Sequence, residues 1–170
     1  MSDLPEIRAA RGEDLPALVD IYNHYVLHTP ITFHTTAFAV DDRREWFASF
    51  SADGPHRLLV ADVDGMVCGY ASSSVFKPRE AYDRSVETTI YLHPDTTGRG
   101  IGRALYGALI DQLLAYAGAH RAYGGIALPN PASVALHESL GFALVGTYRE
   151  VGYKFDRYWD VAWYEKDLGG

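Results

Sequence analysis

The chain is poor in the residues that would tie it to a disulfide framework, a membrane, a nucleic acid or a metal. Its 170 residues include one cysteine, Cys68, so no intramolecular disulfide can form. No apolar run approaches the roughly 20 residues of a membrane-spanning helix. The segment from Met1 to Glu6 has neither a basic nor an apolar stretch, so no signal peptide is expected. Basic residues are scarce: 15 Lys and Arg stand against 22 Asp and Glu, a formal net charge of -7. Phosphate neutralisation needs clustered cations, so no nucleic-acid partner is expected. The 7 histidines show no ligand spacing. His24 and His28 are four apart, but Asn23 and Tyr25 flank the first where an HExxH zinc motif places Glu, so no metal is expected. What is present is ordinary for a globular protein: 48% apolar and 22% charged residues. A chain of this length buries roughly two-thirds of its unfolded surface. The expectation is one cytoplasmic domain over residues 1–170, needing no staple.

The elements follow from periodicity. Glu6 to Arg11 alternates and reads as a strand. Gly12-Glu13-Asp14 opens a helix whose positive end suits acidic residues and whose first turn tolerates Pro16. Leu15, Leu18, Ile21, Tyr22 and Tyr25 recur at helical spacing. Asp41 to Phe50 reads as a second helix. Arg57–Val63 and Met66–Phe76 form strands joined by Asp64-Gly65, the pair a tight hairpin wants. Ser85–His93 is a strand rich in Thr, Ile and Tyr. Gly100 to Ala117 is an amphipathic helix, Arg121–Leu128 a strand and Pro131–Leu140 a short helix closed by Gly141. Strands near Leu144–Arg149 and Tyr158–Asp167 end the chain. The order is that of an α/β domain with a mixed sheet.

Thr97-Gly98-Arg99-Gly100-Ile101-Gly102-Arg103 lies between a strand and a helix. Alternate glycines let backbone N–H groups converge, and the helix N-terminus adds partial positive charge, which suits a diphosphate. A P-loop would need Gly-Lys-Ser/Thr, which is missing. A dinucleotide fingerprint would need glycine at Leu105 and an acidic residue near Arg121. The remaining readings are an acyl-CoA pyrophosphate loop or a glycine-rich turn that binds nothing.

The first of these resembles the GCN5-related N-acetyltransferase (GNAT) superfamily, whose loop reads Gln/Arg-x-x-Gly-x-Gly/Ala. Thr97 departs from it where Gln or Arg is usual. Asn130-x-x-Ser133-x-x-Leu136-His137-Glu138-x-Leu140-Gly141-Phe142 resembles the late motif of the same superfamily, and Ile7-Arg8-x-Ala10 its entry strand. Further segments are similar to the phosphinothricin and methionine sulfoximine acetyltransferase subgroup. These are Tyr22-Asn23-His24-Tyr25-Val26, Thr32-Phe33, Lys77-Pro78-Arg79-Glu80-Ala81-Tyr82, Val86-Glu87-Thr88-Thr89-Ile90-Tyr91-Leu92 and Val151-Gly152-Tyr153-Lys154-Phe155. The match runs from about residue 6 to 168.

The resemblance implies a GNAT fold, a mixed central sheet flanked by helices with a splayed central strand. It implies acetyl transfer from acetyl-CoA to the α-amino group of a small anionic amino-acid analogue. Glu87 would be the general base, directly or through water. Glu87 and Leu92 are five apart and fall on opposite strand faces, unless the family's bulge intervenes. Backbone groups of Ile90, Tyr91 and Leu92 would follow the pantetheine, with an N–H near Leu92 polarising the thioester. Gly98, Arg99, Gly100, Ile101, Gly102 and Arg103 would hold the diphosphate, and Asn130 and His137 the arm. His137 would act as general acid or only position the cofactor. Phe33, Lys77, Arg79, Glu80, Tyr82 and Glu87 would form the acceptor pocket. Cys68 reads as core. Aromatic crowding at Tyr153, Phe155, Tyr158, Trp159, Trp163 and Tyr164, together with the resemblance, implies a homodimer. The alternatives are another small amine or a protein N-terminus as acceptor, or a non-catalytic acyl-CoA-binding module.

Overall fold

The structure is a computed structural model that describes residues 5–169. The elements are β1 (Glu6–Ala9), α1 (Leu15–His28), α2 (Arg44–Ala48), β2 (Leu58–Val63), β3 (Met66–Val75), β4 (Ser85–Leu92), α3 (Ile101–Leu114), β5 (Arg121–Leu128), α4 (Pro131–Ser139), β6 (Ala143–Lys154) and β7 (Arg157–Asp167). The strands form one sheet in the order β1-β2-β3-β4-β5-β7-β6. Only β4 and β5 run parallel; every other neighbouring pair is antiparallel.

Both faces of the sheet are covered, and β2 shows why its sequence does not alternate. Leu58, Leu59, Val60 and Ala61 are all buried. Leu59 and Ala61 pack with Leu105, Tyr106, Leu109 and Leu113 of α3. Leu58 and Val60 pack with Leu18, Ile21, Tyr22 and Val26 of α1. A strand buried on both faces reads as a continuous apolar run. Asp64 and Gly65 take φ of 52° and 84°, as the hairpin reading requires.

Several boundaries differ from the sequence reading: α2 is α-helical only over Arg44–Ala48 and β1 ends at Ala9. α3 stops at Leu114, short of Ala117, because Tyr116 N–H already bonds back three residues to Leu113 and tightens the last turn. β6 runs on past Arg149 to Lys154, because register shifts at Leu144/Gly146 and Tyr148/Gly152 absorb extra residues, with Glu150 at φ 53°. This long strand is the sheet edge, and Leu144, Val145, Tyr148, Val151 and Tyr153 along it are exposed.

A charged cluster ties β1, the start of α1 and β2 together. Arg8 of β1 donates through Nη1 and Nη2 to both oxygens of Asp14 at 2.8 and 2.9 Å, and through Nη2 to Asp62 of β2 at 2.9 Å. Asp14 also accepts the Arg11 N–H at 2.6 Å. Burial alone would raise the Asp14 carboxyl, but the Arg8 fork and the Arg11 N–H outweigh it and hold it below its ordinary 3.8. A depressed carboxyl contributes stability that is present above the unfolded value and lost as pH falls through the folded one. Asp14→Asn is therefore expected to cost about 2–3 kcal/mol at pH 7, because it removes the bidentate one of the two carboxylates that pair with a partly buried guanidinium. In urea unfolding the gap to the parent protein should narrow as pH drops below the ordinary value of 3.8. A gap unchanged down to pH 2 would contradict this role.

Candidate functional site

β4 carries the site. It pairs with β3 over its whole length, from Val75↔Val86 to Gly69↔Leu92, in one unbroken register. It pairs with β5 only at Ser85, Val86 and Glu87. Beyond Glu87 the two strands part. The splay is present, but no bulge interrupts the ladder with β3, so strict alternation holds. Val86, Thr88, Ile90 and Leu92 face α3. Glu87, Thr89 and Tyr91 face the other side, where the Tyr91 ring meets Tyr22 and Tyr25. Glu87 and Leu92 thus stay on opposite faces, and Leu92 serves the cleft through its backbone.

The same ladder decides which backbone groups are free. His93 N–H donates to the Cys68 carbonyl at 2.8 Å. Alternation along an antiparallel pair then turns the N–H and C=O of Ile90 and Leu92 away from β3, toward the gap. The Leu92 carbonyl accepts the Tyr25 hydroxyl at 2.6 Å. The Ile90 N–H faces a cleft walled by Ile31, Thr88, Thr89, Ile90 and Tyr91 on one side and Gly125, Ile126 and Ala127 on the other, and the Leu92 N–H turns to the gap just past it. Asn130, Ser133 and His137 close its end. Asn130 caps α4 by accepting the Ser133 N–H at 3.2 Å, which leaves its NH₂ group for the cleft.

Past β4 the chain reaches Gly98 and Gly100, at φ 75° and 78°. A Cβ at either would meet nothing within 4 Å, so the left-handed backbone, not crowding, requires glycine. Gly100 caps α3, and Ala104 is the residue whose N–H bonds back to it, at 3.2 Å. The N–H groups of Ile101, Gly102 and Arg103 therefore lack helical partners. Arg99 and Arg103 are exposed beside them. This end of the cleft fits a diphosphate.

Glu87 stands at the fork and lines two cavities. One, of about 540 Å³, is bounded by Phe76, Lys77, Tyr123, Gly146, Thr147, Tyr148 and Trp163. The other, of about 680 Å³, is bounded by Tyr22, Thr32, Phe33, His34, Thr89, Tyr91 and Val151 among others. Burial raises the Glu87 carboxyl above its ordinary 4.5. Lys77 and Phe33 therefore join Glu87. Arg79, Glu80 and Tyr82 do not. Arg79 and Glu80 are exposed on a turn beyond Lys77, and the Tyr82 ring packs on Phe76 and lines a separate hollow with Asp83 and Arg84.

His137 is buried, and its ring is fully engaged. Nδ1 lies 2.8 Å from the Ser133 carbonyl, which can only accept, so Nδ1 carries the proton. Nε2 then accepts the Tyr106 hydroxyl at 3.1 Å, and Tyr106 in turn meets Thr88 Oγ1 at 2.7 Å. Burial lowers the imidazole below its ordinary 6.5, against the Ser133 bond that raises it.

The sequence reading missed Tyr106, Thr88, Tyr25 and His34. Tyr106 sits in the plain apolar face of α3, with nothing local to mark it. His34 lines the larger cavity beside Glu87, and its Nδ1 lies 2.6 Å from the Tyr22 hydroxyl, a partner 12 residues away. Among the described residues, no three His, Cys, Asp or Glu side chains gather as metal ligands. No helix there is long and apolar enough to cross a membrane.

Comparison with known proteins converges. The model of the acetyltransferase (GNAT) domain matches residues 7–163. A phosphinothricin N-acetyltransferase of Streptomyces coelicolor is 54% identical over 165 residues, covering 96% of both chains. An L-methionine sulfoximine/L-methionine sulfone acetyltransferase of Salmonella typhimurium is 36% identical, covering 95% of this chain and 94% of its own. The crystal structure of a phosphinothricin acetyltransferase from Sinorhizobium meliloti in complex with acetyl-CoA superposes with a TM-score of 0.92 at 34% identity, covering 98% of this chain and 89% of that one.

The His137 geometry makes a spectroscopic prediction. Long-range ¹H–¹⁵N correlation at pH 7 should show a neutral ring protonated at Nδ1, and the ring should charge only below its ordinary 6.5. An imidazolium at pH 7 would overturn this assignment.

Proposed function

The chain belongs to the GNAT acetyltransferase family, and from that premise we propose that it moves acetyl from acetyl-CoA to the α-amino group of a small anionic amino-acid analogue such as phosphinothricin or methionine sulfoximine. The observation that carries this is Glu87. It is a partly buried carboxylate with a raised pKa at the fork between donor cleft and acceptor cavities. The names of the curated relatives supply the acceptor class.

Acetyl-CoA supplies an acyl group already activated as a thioester. The chain's residues do the rest. The glycine loop and the first turn of α3 bind the diphosphate, with Arg99 and Arg103 beside it. The Asn130 amide holds the arm. The Ile90 and Leu92 N–H groups hold the donor along the open edge of β4, and the Leu92 N–H is aimed at charge that develops on the acyl oxygen. Glu87 takes one proton from the acceptor ammonium, directly or through a water, and releases it to solvent. The neutral amine then forms the C–N bond as the C–S bond breaks, and its second proton leaves with sulfur as the thiol. His137 has its one N–H committed to Ser133, so it acts as a positioning residue that fixes α4 and the arm. Lys77, above the Phe76 and Tyr82 rings at 5.3 and 5.6 Å, is the cation placed to pair with the acceptor's acidic group.

Steady-state thiol release against phosphinothricin and an uncharged amine tests this. Glu87→Gln is expected to lower kcat by about 10²- to 10⁴-fold at neutral pH, with partial recovery as pH rises. The acid limb of kcat/KM should lie above 4.5, the ordinary value that burial raises in Glu87. Lys77→Ala should raise KM for the anionic acceptor alone. Near-full kcat in Glu87→Gln would place the base elsewhere, and no thiol release with any amino acid would leave a binding module.

The chain acts as a homodimer across β6. An edge strand of 12 residues with Leu144, Val145, Tyr148, Val151, Tyr153 and Tyr158 exposed along its hairpin offers an unpaired ladder and exposed apolar side chains. Sedimentation at micromolar concentration should give twice the chain mass of 18.8 kDa, and Tyr148→Glu with Val151→Glu should return it to the monomer. A monomer for the parent protein would contradict the assignment.

A further inference from the structure

One buried cation has no part in the chemistry above. Lys154, the last residue of β6, is 5% exposed. Its Nζ donates to the Thr32 carbonyl at 2.8 Å and lies 3.5 Å from the Tyr25 carbonyl. Tyr25 belongs to the last turn of α1, whose C-terminal end carries partial negative charge and suits a cation. The ammonium joins β6 to a segment 122 residues earlier, just after α1. That segment, Ile31 to His34, forms one wall of the larger cavity beside Glu87.

Gly152, two residues back on the same strand face, makes a second contact with the segment. A Cβ there would collide with the Phe33 ring, so glycine is what lets the ring lie on the strand. The two residues act on adjacent positions of one loop: Lys154 takes the Thr32 carbonyl and Gly152 seats Phe33. Phe33 is otherwise 38% exposed, and no hydrogen bond to its own side chain could hold it. The Tyr22 hydroxyl of α1 holds the side chains of the same loop, 2.7 Å from Thr32 Oγ1 and 2.6 Å from His34 Nδ1, while Lys154 takes its backbone.

We propose that Lys154 is a positioning residue for the acceptor: its ammonium, with Gly152 beneath the Phe33 ring, fixes the Thr32–His34 wall of the cavity next to Glu87, and so sets acceptor affinity far more than donor affinity. The proposal rests on the acetyl-transfer reading of that cavity. It gives the Gly152-Tyr153-Lys154 stretch of β6 a role separate from the exposed outer face of the same strand.

The test is steady-state kinetics of the full chain with acetyl-CoA and phosphinothricin. Lys154→Met keeps the stem and removes the three donors. The loss of a charge-assisted hydrogen bond should raise KM for the acceptor about tenfold or more. KM for acetyl-CoA and kcat should stay within about threefold, the split that marks lost acceptor binding alone. Lys154→Arg, which keeps a donor and the charge, should recover part of the acceptor KM. Phe33→Ala should also raise the acceptor KM, and adding Lys154→Met to it should cost far less than in the parent, because the wall that lysine holds is already gone. Gly152→Ala displaces the ring without touching the lysine. It should reproduce the acceptor defect, and it serves if Lys154→Met fails a thermal-unfolding check. An unchanged acceptor KM in both Lys154→Met and Gly152→Ala would overturn the proposal. So would equal losses toward both substrates, or full additivity with Phe33→Ala. If the parent chain releases no thiol with phosphinothricin, the acetyl-transfer reading has failed instead.

Discussion

The parting of β4 from β5 after Glu87 is the constraint on which the site depends. Interior strands of a sheet satisfy their backbone groups on both sides, and an unmet N–H in a buried setting is costly. Here β4 keeps its ladder to β3 intact and surrenders its ladder to β5. The Tyr25 hydroxyl covers the carbonyl at Leu92. The N–H groups at Ile90 and Leu92 remain for a ligand that runs along the strand. The sheet holds this opening because its flanks are firm. α3 packs under β4 through Leu105, Tyr106 and Leu109, and α1 through Tyr22. The helix that supports β4 from below also supplies the diphosphate end of the cleft, so donor binding and sheet packing share one element.

The buried polar chain from Thr88 through Tyr106 to His137 has a related purpose. It spans β4, α3 and α4, the elements around the cleft. Each hydroxyl and ring nitrogen in it has a partner, which makes the chain a rigid brace and not a reservoir of protons. Its histidine is neutral for two reasons that point the same way: burial disfavours the charge, and one tautomer satisfies both neighbours.

What could be read from the sequence is what backbone chemistry dictates locally. Gly98 and Gly100 announce a turn before a helix, and Asp64-Gly65 a hairpin. Both stand where the residues place them. The GNAT architecture and the splayed strand were legible through motif order. What was not legible is contact between distant segments. No local pattern links Lys154 to Thr32, or Tyr106 to His137, which are 122 and 31 residues apart. The anchor cations show the same limit. Lys77 and Arg79 share a loop and a charge, yet the turn after Lys77 sends Arg79 outward, and only the fold distinguishes them. The bulge in β4 was an expectation from the family resemblance, and the unbroken register with β3 shows that divergence from β5 alone opens the strand.

The alternation along β4 separates two kinds of evolutionary change. Side chains at 88, 90 and 92 belong to the core and the brace, while those at 87, 89 and 91 look into the acceptor cavity. In the proposed mechanism the donor is held by the main chain between them, which no side-chain replacement removes. The walls that line the acceptor cavity and not the donor cleft, such as Phe33 and Val151, can therefore drift to suit a new amine while donor recognition stays intact. A lineage built on this strand can change what it acetylates by small steps, each of them passing through a working enzyme.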